Sequence, residues 1–189
     1  MQYVEIAARA LLAVVFAVAV AGKVSSRSNW VDFVASLHTM KIIRRSWIRE
    51  AAVATVLAET AIVVLALVPV RAAGTSAFVV AAGLLAVLTL AVTVVVRRGT
   101  TVTCRCLGAS DTPLGLRHVA RNSALVAVAL LGLVGSLTPG GFQAPMVAAA
   151  ASAGLFLGLL VTRWDDLATL VRSPAQPPIV KVQTERSPR

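Results

Sequence analysis

A polytopic bundle of α-helices spanning a membrane is the fold class this sequence predicts, and three observations predict it. Hydrophobic residues make up 58% of the 189-residue chain and charged residues only 14%, more apolar surface than a soluble domain of this size can remove from water. The apolar residues are gathered into five long runs, each near the length a helix needs to cross about 30 Å of hydrocarbon. The basic residues behind the formal net charge of +10 lie almost entirely between those runs. Nucleic acid is the usual alternative explanation for such a charge. No basic patch interleaved with aromatic residues is present, so no nucleic-acid role is expected.

The first run is roughly Ile6 to Gly22. Glu5 and Arg9 are four apart, share a helical face and can pair near the membrane surface. Ala19-Val20-Ala21 resembles a signal-peptide cleavage site, but the only basic residue before the end of the run is Arg9, inside it, so a retained span is expected. Ser25 to Arg49 differs in character. Trp30, Phe33, Val34, Leu37 and Lys41 fall near one helical face, and Arg27, Arg44, Arg45 and Arg49 add charge. The pattern predicts one interfacial amphipathic helix, its aromatic side in lipid and its basic side towards headgroups. A surface helix packed on the bundle is a compatible reading, and His38 there reads as a surface residue.

The second span runs from Ala51 to Val70, broken only by Glu59 and closed by Pro69, and the third from Ala72 to Val96 carries no charge. Arg97, Arg98 and Gly99 stop it. A loop follows with Asp111-Thr112-Pro113-Leu114-Gly115 as a turn signal. The fourth span is roughly Asn122 to Leu137, Thr138-Pro139-Gly140-Gly141 forms a hairpin, and the fifth span is about Phe142 to Thr162. Residues 1–170 are expected to form the membrane-embedded domain and 171–189, rich in proline and polar residues, a disordered tail. With five spans, sixteen of the 18 Lys and Arg fall in loops on one side. The positive-inside rule makes that side cytoplasmic, with the N-terminus outside, in the inner or plasma membrane.

The only two cysteines, Cys104 and Cys106, are one residue apart in the loop after the third span. Two are too few for a disulfide framework, and a disulfide between them would close so short a loop that it would constrain almost nothing. Such a small ring is strained and easily reduced, which suits electron transfer. Arg97, Arg98, Arg105, Arg117 and Arg121 surround the pair in sequence against one acid, Asp111, an environment that favours thiolate. Three readings stand: thiol–disulfide exchange; metal binding, in which two thiolates suit copper or zinc and His118 is a candidate third ligand; and two inert loop thiols. Glu59 is the second candidate, since an ionisable group within a span needs a named partner. Lys23 and Arg9 are the candidates, and Thr55 can bond it if it is protonated. Its role is structural, tying helices together, or proton-handling.

Cys104-Arg105-Cys106-Leu107-Gly108 resembles the Cys-x-Cys-Phe-Gly signature of the MauE (methylamine utilisation) membrane proteins, a family related to the DoxX-like group. Leu107 departs from the usual phenylalanine. Gly22-Lys23-Val24 at the end of the first span, Glu59 in the second, and Arg121-Asn122 after the cysteines are similar too, so the resemblance covers roughly Arg9 to Val134. It implies a bundle of four to five helices supporting maturation or disulfide formation of an exported client, classically the small subunit of methylamine dehydrogenase, beside a thioredoxin-like redox partner. Cys104 and Cys106 would act as a thiol–disulfide oxidoreductase centre. Arg105, Gly108, Glu59, Lys23, Arg121 and Asn122 would support it, with no resident cofactor. The competing class is a non-catalytic assembly scaffold in the bilayer. A transporter is disfavoured because no pair of spans is broken by glycine and proline.

Overall fold

Five helices long and apolar enough to cross a membrane form among the residues that the computed structural model describes, 1–98, 115–138 and 143–163. No strand occurs among them. The elements are α1 (Gln2–Val24), a short α2 (Arg27–Thr39), a 3-10 turn (Arg45–Trp47), α3 (Ile48–Leu67), α4 (Arg71–Arg97), α5 (Leu116–Leu137) and α6 (Ala144–Thr162). The spans are α1, α3 with the 3-10 turn before it, α4, α5 and α6, so the chain is a multi-pass helical membrane protein.

α1 is the central element of the bundle. It packs against α3, α5 and α6, while α4 closes the layer between α3 and α5. Leu12 and Phe16 of α1 meet Ile62, Phe78, Leu85, Leu125 and Ala129 in one continuous core. Outward-facing Leu57, Leu90, Leu131 and Phe156 are exposed on the bundle, where hydrocarbon solvates them.

Lipid is as apolar as leucine, so helices in it associate through close packing and polar ties. α6 shows the first. Its only buried residues are Gly154 and Gly158. A Cβ at Gly154 would run into the carbonyl of Ala7 and lie 3.0 Å from the Ala10 Cβ, and one at Gly158 would lie 3.0 Å from the Leu11 carbonyl oxygen. α6 therefore lies in direct backbone contact with α1. Gly154→Leu is expected to separate the two helices and cost about 1–3 kcal/mol, read as a lowered midpoint of detergent-induced unfolding. An unchanged midpoint would mean that α6 is not seated on α1 this way.

Arg9 shows the second. Pro69 has no N–H to offer Leu65, and the N–H of Val70 turns to Val68 (2.8 Å) instead of Ala66. The last carbonyls of α3 are thus left without helical donors. The Arg9 guanidinium reaches two of them: Nε donates to the Ala66 oxygen at 3.2 Å and Nη2 to the Leu65 oxygen at 3.5 Å, and Nη2 also donates to Val68, just past the helix. Glu5 approaches the same guanidinium at 3.6 Å, the pairing that their spacing predicts. Gly74 makes room for it, since a Cβ there would stand 2.9 Å from the Arg9 Cζ.

At the opposite pole α2 departs in one respect from the expected interfacial helix: its aromatic face meets protein and not lipid. The helix ends at Thr39 and Lys41 adopts φ 50°, so Lys41 and the residues after it leave the helical face. Phe33 is not in lipid: it is 1% exposed and turned into the bundle. Ser36, on the same face, is buried as well. Further along, Met40 joins Val92 and Val95 of α4, with Leu37, Val96 and Val119 around them. α2 is therefore a surface helix packed on the bundle. The face that periodicity identifies as apolar meets protein because the ends of α1, α4 and α5 leave an apolar seat beneath it.

Candidate functional site

Two of the chain's ionisable residues sit in full burial and find each other. Lys23, in the last turn of α1, is 1% exposed, and Glu59, near the middle of α3, is 0% exposed. The Lys23 Nζ donates to Glu59 Oε1 at 2.7 Å and to Oε2 at 2.9 Å. The helix directions explain how residues at such different heights meet. α1 and α3 are antiparallel, since Arg9 lies beside the end of α3. Helical side chains lean towards their own N-terminus. Lys23 therefore reaches down into the bundle, past the Ala19 carbonyl oxygen at 3.3 Å, while Glu59 leans up towards it.

The pair is capped from the membrane surface. The Phe33 ring of α2 lies with its centroid 5.2 Å from the Lys23 Nζ, a cation–π distance. Trp30 leans on that ring at 6.1 Å between centroids. Hydrogen bonds to both carboxylate oxygens and an aromatic lid satisfy what a buried ion pair requires to persist. Of the two candidate partners for Glu59, Lys23 holds it and Arg9 caps α3 instead. Thr55 is also engaged elsewhere, its Oγ1 donating to the Ala51 oxygen at 2.8 Å.

The same pole carries the remaining described site residues. α5 begins at Leu116, earlier than its apolar run, so His118, Arg121 and Asn122 are helical residues at its start. The Gly115 N–H donates to His118 Nδ1 at 3.4 Å, and the His118 N–H donates to the Gly115 oxygen at 3.0 Å. His118 is thus a capping residue, with its Nδ1 turned to the backbone. Asn122 is 3% exposed, and its Oδ1 has no hydrogen-bond partner among the described residues. Cys104, Arg105, Cys106 and Gly108 lie outside the described residues. In sequence they fall between α4 and α5, and the adjoining ends of those two helices lie at this pole, where Val95, Val96 and Val119 pack together.

Charge is strongly divided between the two ends. Among the described residues, Lys23, Arg27, Lys41, Arg44, Arg45, Arg49, Arg97, Arg98, Arg117, Arg121 and Arg163 belong to the ends of elements that meet at this pole, and only Arg9 and Arg71 belong to the other. Phe33 was the feature of the site that periodicity misassigned. The available signal was a lysine closing an apolar span, an unlikely place for a bare cation, with an aromatic residue ten positions later.

Compared with known families, residues 1–135 match the model described as methylamine utilisation protein MauE. The match spans α1 to all but the end of α5 and includes the cysteine pair. No curated protein and no solved structure matches the chain.

Proposed function

This chain belongs to the MauE family of methylamine utilisation proteins, and from that premise we propose that Cys104 and Cys106 form a thiol–disulfide exchange centre serving the maturation of an exported client. The observation that carries the reading is the position of the pair. The only two cysteines of the chain lie within the family match, in the segment joining α4 to α5 at the basic pole. A thioredoxin-like dithiol is the partner that the chemistry suits.

In one half-cycle a thiolate of the partner attacks one sulfur of the Cys104–Cys106 disulfide. The S–S bond breaks, the other sulfur leaves as thiolate, and a mixed disulfide forms. The partner's second thiolate then attacks its own sulfur in that mixed disulfide and releases the pair. Two electrons pass from partner to pair, and two protons complete the dithiol. Run in reverse, the pair reduces its partner. Arg105 stabilises the leaving thiolate, and Gly108 closes the motif. Lys23, Glu59, Arg121 and Asn122 hold the pole to which the segment is anchored.

The positive-inside rule makes the basic pole cytoplasmic in the plasma membrane, with the N-terminus outside. One cysteine pair on that face cannot by itself reach an exported client, so a second thiol pair on a partner must complete the path.

Thiol trapping in intact cells tests both parts. With a membrane-impermeant maleimide, labelling is expected only after lysis, and a fraction of the pair is expected to require prior reduction. Labelling from outside after mild reduction would reverse the orientation and make direct exchange with the client the mechanism. A pair that is permanently reduced would end the redox reading and leave a scaffold or a thiolate metal site.

A further inference from the structure

We infer that the connector between α2 and α3, residues 41–49, is a binding site for the headgroup of an acidic phospholipid, independent of the cysteine chemistry. Four cations fall within it: Lys41, Arg44, Arg45 and Arg49. All four are exposed, and none forms an ion pair among the described residues, although Glu50 is exposed next to them. Two cations elsewhere in the bundle are neutralised within it. Lys23 is neutralised by Glu59, and Arg9 by Glu5 and the carbonyls of α3. The connector's charge is left for something outside the chain.

The surroundings identify that something as lipid. Arg44 stands immediately before the apolar span and Arg45 is its first residue, in the 3-10 turn. Trp47, in the first turn of that span, is 62% exposed and Ile42 is 40% exposed. An indole at that height with an apolar neighbour marks the headgroup level of a bilayer. Cations clustered beside it face the layer where acidic phosphodiesters lie. A soluble anionic partner would have to displace that layer first.

Lys41 adds an independent observation. Its φ of 50° lies in the left-handed region, at the position after a helix where glycine or asparagine is usual. The backbone there would be relaxed by glycine, yet the chain carries a lysine. The bend it makes turns the chain from α2 towards Arg44 and Arg45.

The test uses the full chain in neutral detergent, with phosphatidylglycerol or phosphatidylcholine added and bound lipid counted by native mass spectrometry. Phosphatidylglycerol is expected to be retained in preference. The triple variant Arg44→Gln/Arg45→Gln/Arg49→Gln should lose that retention at least tenfold, since one cation near a lipid surface is worth on the order of fivefold. Lys41→Gly is the control for folding: its Tm should stay level or rise while phosphatidylglycerol retention falls by about fivefold. Three outcomes overturn the site. The wild-type chain shows no preference between the two lipids. Arg97→Gln/Arg98→Gln, at the same pole, lowers retention as much as the triple variant, so that diffuse charge is responsible. Inorganic phosphate at equal concentration displaces the lipid, so that the connector holds a free anion.

Discussion

Lys23→Met is expected to destabilise the protein by roughly 3–5 kcal/mol, because it strands the Glu59 carboxylate in the interior. Glu59→Leu should cost a similar amount by stranding the ammonium of Lys23. The pair lies at 1% and 0% exposure with both carboxylate oxygens bonded, so neither half can recover water without opening the bundle. Combining the two replacements should recover most of the loss. A buried ion pair replaced by apolar groups of similar size is often no less stable than the original. The measurement is unfolding in mixed micelles for the two single variants and the double. Additive losses in the double variant would show that the two side chains act separately and that the 2.7 Å contact contributes nothing of its own.

The same cycle tells a structural pair from a working one. Lys23→Met/Glu59→Leu keeps the volume and removes every titratable atom from the site. If the refolded double variant supports exchange normally, the pair is only a tie between α1 and α3. If it is stable and inactive, the pair handles protons for the chemistry at the basic pole.

The number of spans was legible because a bilayer imposes long apolar runs, and such runs survive any detail of packing. The ends of the spans were less so. α5 starts at Leu116 and not at Asn122, because Arg117, His118 and Arg121 are helical residues that reach the polar pole. A hydropathy reading stops at the first of them. α1 likewise begins at Gln2, since Glu5 and Arg9 neutralise each other within the helix. That Glu59 needs a partner was legible from its place within an apolar span. The choice between Lys23 and Arg9 was not, because it depends on how far each side chain leans along its helix. Periodicity also found the apolar face of α2 without saying what it meets, since lipid and protein are equally apolar. Phe33 was placed in lipid for that reason. The glycines of α6 are invisible to hydropathy, yet Gly154 and Gly158 stand four apart, the spacing of small residues at which membrane helices approach closely, and their missing Cβ atoms bring α6 onto α1.

The largest functional effect is expected from Cys104→Ser/Cys106→Ser. Disulfide formation in the client should fall to the level of cells lacking the protein, while the unfolding midpoint in micelles stays where it was. The two readouts separate because a bridge across one intervening residue restrains almost none of the unfolded chain, so losing it costs the fold little. The single variants carry more information than the double. Exchange passes through a mixed disulfide that the second thiol of the pair resolves when the pair acts as reductant. Removing the resolving cysteine should therefore trap the partner in a reduction-sensitive adduct, and removing the attacking one should not. An adduct with one single variant and none with the other would assign the two roles and deliver the partner for identification. Full activity in the double variant would end the redox reading. What would then need explaining is why the chain carries its two cysteines one residue apart in a stretch rich in arginine, and a scaffold that docks its partner through that charge would be the reading left standing.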